Sequence, residues 1–203
     1  MKLYYSPSAC SMAPHIVLNE LGLPYEAVQV DTKTHKLVKT GTDYYAINPK
    51  GYVPAIELDD GSLFTEAAAI LQYLADRKPQ SGLLAAPGSM ERYRTIEWLT
   101  FISSELHKGL GALFNPDYPE AARKISLDKL KKRFELLDKH FAKNEFLMGK
   151  QFTVADAYAY TILNWTNFLN VDLSPYKNLQ AYMQRVAARP SVRETQHAEK
   201  LAA

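Results

Sequence analysis

The pattern of the chain changes once, near residue 79, and this change constrains the fold most. Before it, short runs typical of strands are interleaved with helical runs in the order β-α-β-α-β-β-α. After it, only helical patterns follow. Such an order predicts an α/β domain followed by an all-helical one. We therefore expect a first domain over residues 1–80, a linker over 81–87 and an all-helical domain over 88–203.

Local signals position the elements of the first domain. A helix after the first strand holds Pro14 in its first turn and ends before Gly22, a residue suited to a left-handed helix end. Asp59-Asp60-Gly61 has the composition of a hairpin turn. Val53-Pro54, at the start of a strand, is a candidate cis peptide bond. The predicted strands are 2–5, 25–31, 55–58 and 62–65, the later helices are 44–47 and 66–77, and 32–43 is expected to be a loop.

In the second domain, helical periodicity predicts five helices. Thr153 and Asp156 have the spacing of a capping box, and Phe152 has the position of the accompanying hydrophobic staple. The predicted helices are 89–110, 119–143, 154–170, 176–188 and 191–200.

Composition excludes several functional classes. The chain has 203 residues, of which 47% are hydrophobic, and a net charge of +2, which gives no case for nucleic-acid binding. No run approaches the ~20 apolar residues that span a bilayer, and the N-terminus lacks the apolar core of a signal peptide, so we expect no membrane association and a cytoplasmic location. The single cysteine, Cys10, cannot form an intrachain disulfide.

Three residues are candidates for chemistry, and each has a structural alternative. Cys10 precedes a helix, where partial positive charge favours a thiolate, but a lone cysteine is also a common small core residue. Glu66 either offsets the dipole of the helix that it begins or accepts a ligand ammonium group. His107 lies with Thr100 and Ser104 on a predicted polar stripe, so it is either an interhelical histidine or a site residue. Metalloprotease, phosphate-loop and serine-hydrolase motifs are absent from the sequence.

Six segments together resemble the bacterial beta-class glutathione S-transferases over nearly the whole chain. They are residues 1–11 (MKLYYSPSACS), 48–54 (NPKGYVP), 63–70 (LFTEAAAI), 96–98 (IEW), 104–109 (SELHKG) and 152–158 (FTVADAY). The resemblance implies a thioredoxin-like domain joined to an all-helical domain, a homodimer, and glutathione as co-substrate without a metal. It also implies an enzyme that conjugates glutathione to small electrophiles.

The resemblance also implies roles for individual residues. Cys10 faces the glutathione sulfur, Val53 offers its backbone to the cysteinyl part, and Glu66 with the backbone of Ala67 holds the γ-glutamyl end. His107 supports the ligand sulfur beside Cys10. Lys36, or else Lys33 or His35, reaches the ligand from the 32–43 loop, which holds one extra residue here. The helical domain is expected to complete the site with Thr100, Ser104, Glu105, Leu106 and His107, some of them from the partner subunit.

Three positions depart from the family pattern. The family usually has glycine at the position of Ser8, glycine or serine at that of Ala67, and asparagine at that of Thr100. Threonine has no side-chain amide, so Thr100 leaves one polar contact with glutathione in question. There are two alternatives to conjugation: a reductase in which Cys10 forms a mixed disulfide with glutathione, and a binding protein with little turnover.

An apolar substrate would lie against aromatic and aliphatic residues of the helical domain. These are Tyr93, Leu113, Phe114 and Trp165.

Overall fold

The structure, a computed structural model, describes residues 1–200 and divides into two compact units. The first contains residues 1–81 together with the described chain from Arg189 onward, and the second contains residues 82–188. The expectation that the helical domain runs to the end of the chain is therefore corrected. Its last helix belongs to the first unit, because that helix packs against a helix near the N-terminus.

The first unit is built on a five-stranded mixed sheet. Its strands are β1 (Lys2–Tyr5), β2 (Glu26–Asp31), β3 (Lys36–Leu37), β4 (Ala55–Glu57) and β5 (Leu63–Thr65). They are ordered β3-β2-β1-β4-β5, with β1 and β2 parallel and the other neighbours antiparallel. Strand β3 falls in the segment that the sequence predicted as loop, because two residues are too short to produce a recognisable alternation.

Two helices of this unit follow strands directly. Helix α1 (Met12–Leu21) ends at Gly22, which has the predicted left-handed conformation with φ 57°. Helix α2 (Ala67–Asp76) follows β5 and buries an apolar face formed by Ile70, Leu71 and Leu74. A 3₁₀ turn, Tyr44–Ala46, precedes β4 where a short helix was expected, and another 3₁₀ turn covers Pro79–Ser81. The helices and the sheet bury a common core with Leu3, Ile16, Leu18 and Ile56.

The last helix, α9 (Pro190–Ala198), packs against α1. Just beyond α9, Glu199 is fully buried and accepts two hydrogen bonds within the first unit. One joins its Oε1 to His15 Nδ1 at 2.7 Å, and the other joins its Oε2 to the backbone N–H of Ser8 at 3.0 Å. His15 is buried between the rings of Tyr5 and Tyr25. The end of the described chain is thus bonded to the loop that carries Cys10.

The second unit is helical in all its regular elements within residues 82–188. The helices are α3 (Met90–Phe101), α4 (Lys108–Ala112), α5 (Glu120–Phe141), α6 (Val154–Leu163), α7 (Trp165–Leu169) and α8 (Lys177–Ala187). The predicted helix over 89–110 contains a π-helical segment at Ile102–His107 between α3 and α4. The predicted helix over 154–170 ends at Leu163 and resumes as α7 after Asn164.

Helix α6 begins with the predicted capping box and lies at the centre of this unit. The backbone N–H and the hydroxyl of Thr153 both donate to Asp156 Oδ2, at 2.8 and 2.9 Å. The other carboxylate oxygen accepts from the backbone N–H of Leu147 at 2.8 Å and from the Tyr182 hydroxyl at 3.2 Å. Burial raises the pKa of Asp156 to about 6, although these hydrogen bonds oppose the rise. Phe152 is buried at the predicted staple position.

Among residues 1–200, no helix combines the length and apolar character needed to cross a membrane.

Candidate functional site

Cys10 lies in the loop between β1 and α1, two residues before the helix. Its Sγ atom donates a hydrogen bond to the backbone carbonyl of Val53 at 3.1 Å. Two residues that are far apart in sequence are therefore in direct contact, and both were expected to contact glutathione.

The serines around Cys10 have structural roles in this loop. The Ser11 hydroxyl is bonded to both the backbone N–H and the carbonyl of Ser6, at 3.1 and 3.2 Å, and Ser11 is fully buried. The Ser11 hydroxyl is therefore bonded within the loop backbone. Ser8 has a left-handed backbone with φ 61°, and its N–H is held by Glu199. These contacts fix the loop without using the sulfur.

The segment before β4 is held by a buried asparagine. Asn48 Nδ2 donates to the carbonyl of Tyr52 at 2.7 Å, and the Tyr44 hydroxyl donates to the same carbonyl at 3.0 Å. The following bond, Val53–Pro54, is cis, as the sequence indicated. This support presents the carbonyl of Val53 toward Cys10.

Glu66 is the N-cap residue of α2, and its backbone is unusual. With φ 72° and ψ 114° it lies in a region that non-glycine residues rarely occupy, and such outliers concentrate at functional sites. Its side chain makes no capping hydrogen bond and is 70% exposed. The N–H groups in the first turn of a helix have no intrahelical acceptor, so the start at Ala67 suits an anionic group. The carboxylate of Glu66 instead contacts the ammonium of Lys50 at 2.7 Å.

Among the three candidates in the 32–43 segment, His35 has the firmest contacts. Its Nδ1 lies 3.2 Å from the Gly51 carbonyl, and its ring packs on Tyr45 with centroids 4.5 Å apart. Lys36 is exposed on β3, and Lys33 is exposed in the preceding turn. His35 is therefore the candidate held against the segment that leads to Val53.

In the helical unit, the π-helical segment divides the expected polar stripe. Thr100 and Ser104 are exposed, and each hydroxyl donates to the carbonyl four residues earlier at 2.9 Å, which leaves its lone pairs able to accept. The Glu105 carboxylate pairs with Arg133 at 2.8 Å, and Leu106 is fully buried, so its side chain is withdrawn from any ligand. π-Helical insertions occur frequently at functional sites.

The side chain of His107, the last residue of the π-helical segment, packs against aromatic residues. Its Nδ1 lies 2.6 Å from the hydroxyl of Tyr158, and its ring meets the ring of Trp165 edge-on at 5.0 Å. Trp165 in turn meets Phe114 edge-on at 5.4 Å. His107 therefore has a defined orientation. His107 is half-buried among these rings, whereas Thr100 and Ser104 are exposed.

Sequence reasoning missed three residues near these groups: Lys50, His15 and Glu199. Lys50 lies inside a segment that carries the family resemblance, yet its contact with Glu66 spans 16 positions. His15 and Glu199 are 184 positions apart, and no local pattern signals such a pair. Across residues 1–200, no group of three or more metal-ligating side chains is positioned to hold an ion.

Comparison with known proteins identifies the family. The glutathione S-transferase N-terminal domain family matches residues 7–77, and the C-terminal domain family matches residues 101–190. The glutathione S-transferase GstA of Escherichia coli O157:H7 is 45% identical over 99% of this chain and 100% of its own length.

Solved structures agree with this result. A sphingomonad glutathione S-transferase complexed with glutathione is 43% identical, with a TM-score of 0.94 and complete coverage of both chains. A bacterial beta-class enzyme from Sphingomonas chungbukensis is 44% identical, with a TM-score of 0.95 and complete coverage of both chains. The thioredoxin-like sheet unit and the helical unit are thus those of a known enzyme family, and the chain belongs to the glutathione S-transferases, transferases that use glutathione as co-substrate.

Proposed function

We propose that this glutathione transferase binds its co-substrate along Cys10, Val53, Glu66 and Ala67 of the first unit. The observation that carries the proposal is the 3.1 Å contact between Cys10 Sγ and the Val53 carbonyl. A peptide paired with the backbone of Val53 would bring its own cysteine sulfur next to Cys10. The likeness to the sphingomonad enzyme complexed with glutathione supports the same assignment.

The two ends of glutathione require different groups. The exposed carboxylate of Glu66 suits the ammonium of the γ-glutamyl end, and the first N–H groups of α2 suit its α-carboxylate. For the other end of the tripeptide, a cation from the 32–43 segment would pair with the glycine carboxylate. Lys36 remains our assignment, with His35 as the alternative that has the better-defined position.

We further propose that Thr100, Ser104, Glu105, Leu106 and His107 complete this site, Leu106 through its backbone alone. The π-helical segment that carries four of these residues supports the assignment. His107 would orient or electrostatically support the ligand sulfur. Phe114 and Trp165, which contact each other beside His107, would supply apolar surface for the second substrate.

The proposed reaction is attack by the glutathione thiolate on an electrophilic carbon. The sulfur lone pair forms the new S–C bond, the leaving group departs with the electrons of its own bond, and the thiol proton passes to solvent. A disulfide reaction at Cys10 is the second activity. The Cys10 thiolate attacks a glutathione disulfide, forms Cys10–S–S–glutathione and releases the other sulfur as a thiolate.

We assign the chain to the beta class and propose that it acts as a cytoplasmic symmetric homodimer. The likeness to the Sphingomonas chungbukensis enzyme supports the class. Exposed aromatic side chains on both units, such as Tyr52 and Tyr93, support a subunit contact. Sedimentation should give twice the chain mass of 22.9 kDa at micromolar concentration, and a 22.9 kDa species alone would refute the dimer.

Intact mass spectrometry tests the placement of Cys10. Native protein incubated with oxidised glutathione at pH 6–7 should gain one glutathionyl group, which a reductant removes, because no second cysteine exists to resolve the adduct. The Cys10→Ala variant should gain none, yet it should still bind glutathione through the other contacts.

Turnover assays then separate the two activities. Cys10→Ala should lose reduction of a glutathione mixed disulfide far more severely than conjugation of a chloronitroaromatic compound, in which glutathione supplies the nucleophile. Wild-type protein that forms no adduct until it is denatured would show that Cys10 is only a packing residue.

A further inference from the structure

The side chain of Lys50 is bonded to the Glu66 carboxylate, the group that we assign to binding the ligand ammonium. Its Nζ donates to Glu66 Oε1 at 2.7 Å and to Thr65 Oγ1 at 3.1 Å. Both partners lie at the junction of β5 and α2, where the backbone of Glu66 has its unusual positive φ. The contact therefore joins the loop before β4 to the beginning of α2.

The backbone of Lys50 is fixed independently of this contact. Its N–H donates to Asn48 Oδ1 at 3.1 Å, and the next N–H, from Gly51, donates to the Asn48 carbonyl at 2.8 Å. Asn48 is itself buried, and its amide is bonded to the Tyr52 carbonyl. Lys50 thus projects from a rigid loop, and only its side chain needs to move when a ligand arrives.

Stability does not account for the Lys50–Glu66 pair. The two side chains are 53% and 70% exposed, and ion pairs as exposed as this contribute little to folding. The chain nevertheless maintains a full positive and a full negative charge in contact at the start of a helix. The γ-glutamyl end of glutathione carries the complementary pair, an ammonium and a carboxylate on one carbon atom.

We propose that Lys50 is a specificity-determining residue that binds the α-carboxylate of the γ-glutamyl end while Glu66 binds the ammonium. The internal ion pair is exchanged for two ion pairs with the ligand, so both protein charges stay partnered. Together with the first N–H groups of α2, Lys50 would select a free α-amino acid end over an end that lacks either charge. This inference rests on the glutathione site proposed above and assigns a new residue to it.

The opposite role is that of an internal competitor, in which Lys50 only blocks Glu66 until the ligand displaces it. The two roles predict opposite changes in glutathione affinity when the lysine is removed. Loss of a competitor tightens glutathione binding, whereas loss of a carboxylate partner weakens it. Glutathione is a net anion at neutral pH, so removal of a nearby cation favours the second outcome.

Calorimetric titration of the full chain with three ligands tests the role. The ligands are glutathione, γ-aminobutyryl-cysteinylglycine, which lacks the α-carboxylate, and glutaryl-cysteinylglycine, which lacks the ammonium. Lys50→Met should weaken glutathione binding by about fivefold, with kcat at saturating glutathione unchanged. It should leave the carboxylate-free ligand unaffected, and Lys50→Arg should restore most of the glutathione affinity.

Lys2→Met is the matched control, since Lys2 forms a comparable 2.8 Å pair with Glu57 in the same unit. It should leave all three affinities unchanged. Equal or tighter glutathione binding by folded Lys50→Met would overturn the proposal, as would an equal loss for the carboxylate-free ligand. If Lys50→Met does not fold, Lys50→Gln replaces it. Wild-type protein that fails to bind glutathione would instead refute the site itself.

Discussion

Helices α2 and α6 each have an acidic residue at their start, Glu66 as the N-cap of α2 and Asp156 in the first turn of α6, but the two carboxylates have different partners. At α6, the Asp156 carboxylate is fully buried and accepts from Leu147, Thr153 and Tyr182. At α2, the Glu66 carboxylate is exposed, makes no capping bond and pairs with the exposed side chain of Lys50. The hydrogen bonds at the start of α6 come from its own chain, whereas the carboxylate at the start of α2 is exposed, and we propose that it binds a ligand.

We propose that this difference separates a residue needed for folding, Asp156, from one needed for binding, Glu66. A buried acceptor that satisfies several donors cannot be removed without leaving buried N–H groups unpaired. An exposed carboxylate can be removed at little cost to the fold, because water replaces it. Each of the following predictions tests one side of this distinction.

The largest expected effect is a loss of folding stability in Asp156→Ala. The variant leaves the N–H groups of Leu147 and Thr153 without their acceptor in the interior, so it should lower the free energy of unfolding by about 3 kcal/mol or more. Urea unfolding followed by circular dichroism measures the loss. Asp156→Asn keeps one carbonyl acceptor and should give an intermediate value, and a loss below about 1 kcal/mol for alanine would contradict the assignment.

The second expected effect is a loss of glutathione affinity without a loss of folding stability. Glu66→Ala should weaken retention on glutathione-agarose at least tenfold, the equivalent of about 1.5–3 kcal/mol for a charge-assisted contact. Its urea midpoint should stay close to that of the wild type, because the side chain is exposed. Glu66→Gln, which keeps the shape and loses the charge, should bind nearly as weakly. Unchanged retention of both variants would remove Glu66 from the site.

The smallest effect is a pH dependence of stability. The pKa of Asp156 is raised by burial from 3.8 to about 6, so the native state binds this proton more tightly than the unfolded state. The stabilisation is present at low pH and is lost as the pH rises through 6. Compared with Asp156→Asn, the wild type should therefore gain about 1 kcal/mol as the pH falls from ~7 to ~5. Parallel stability curves for the two proteins would show that Asp156 does not titrate in this range.

Local sequence signals predicted the features that depend on neighbouring residues. The capping box at Thr153, the left-handed Gly22 and the cis bond before Pro54 each follow from residues within a few positions. The resemblance to a known family supplied the list of site residues, which composition and periodicity alone left open. Those local features are confirmed, and the residue roles stay predictions.

Other features depend on contacts that no local pattern encodes. Strand β3 exists because Leu37 pairs with Val30, and a two-residue strand carries no periodicity of its own. The π-helical segment at Ile102–His107 has the same composition as an ordinary helix, so the turn of His107 toward Tyr158 could not be read from a helical wheel. The contact of Cys10 with Val53 spans 43 positions.

The bonds made by Glu199 have a consequence for how the loop that carries Cys10 is completed during synthesis. Ribosomes release the polypeptide from its N-terminus, so Ser8, Cys10 and His15 emerge long before Glu199. The N–H of Ser8 and the imidazole of His15 therefore gain their buried acceptor only after Glu199 has been synthesised. A nascent chain that has not reached Glu199 contains Cys10 but lacks these two bonds. The order of synthesis thus leaves the loop that carries Cys10 without these two bonds until Glu199 has joined the chain.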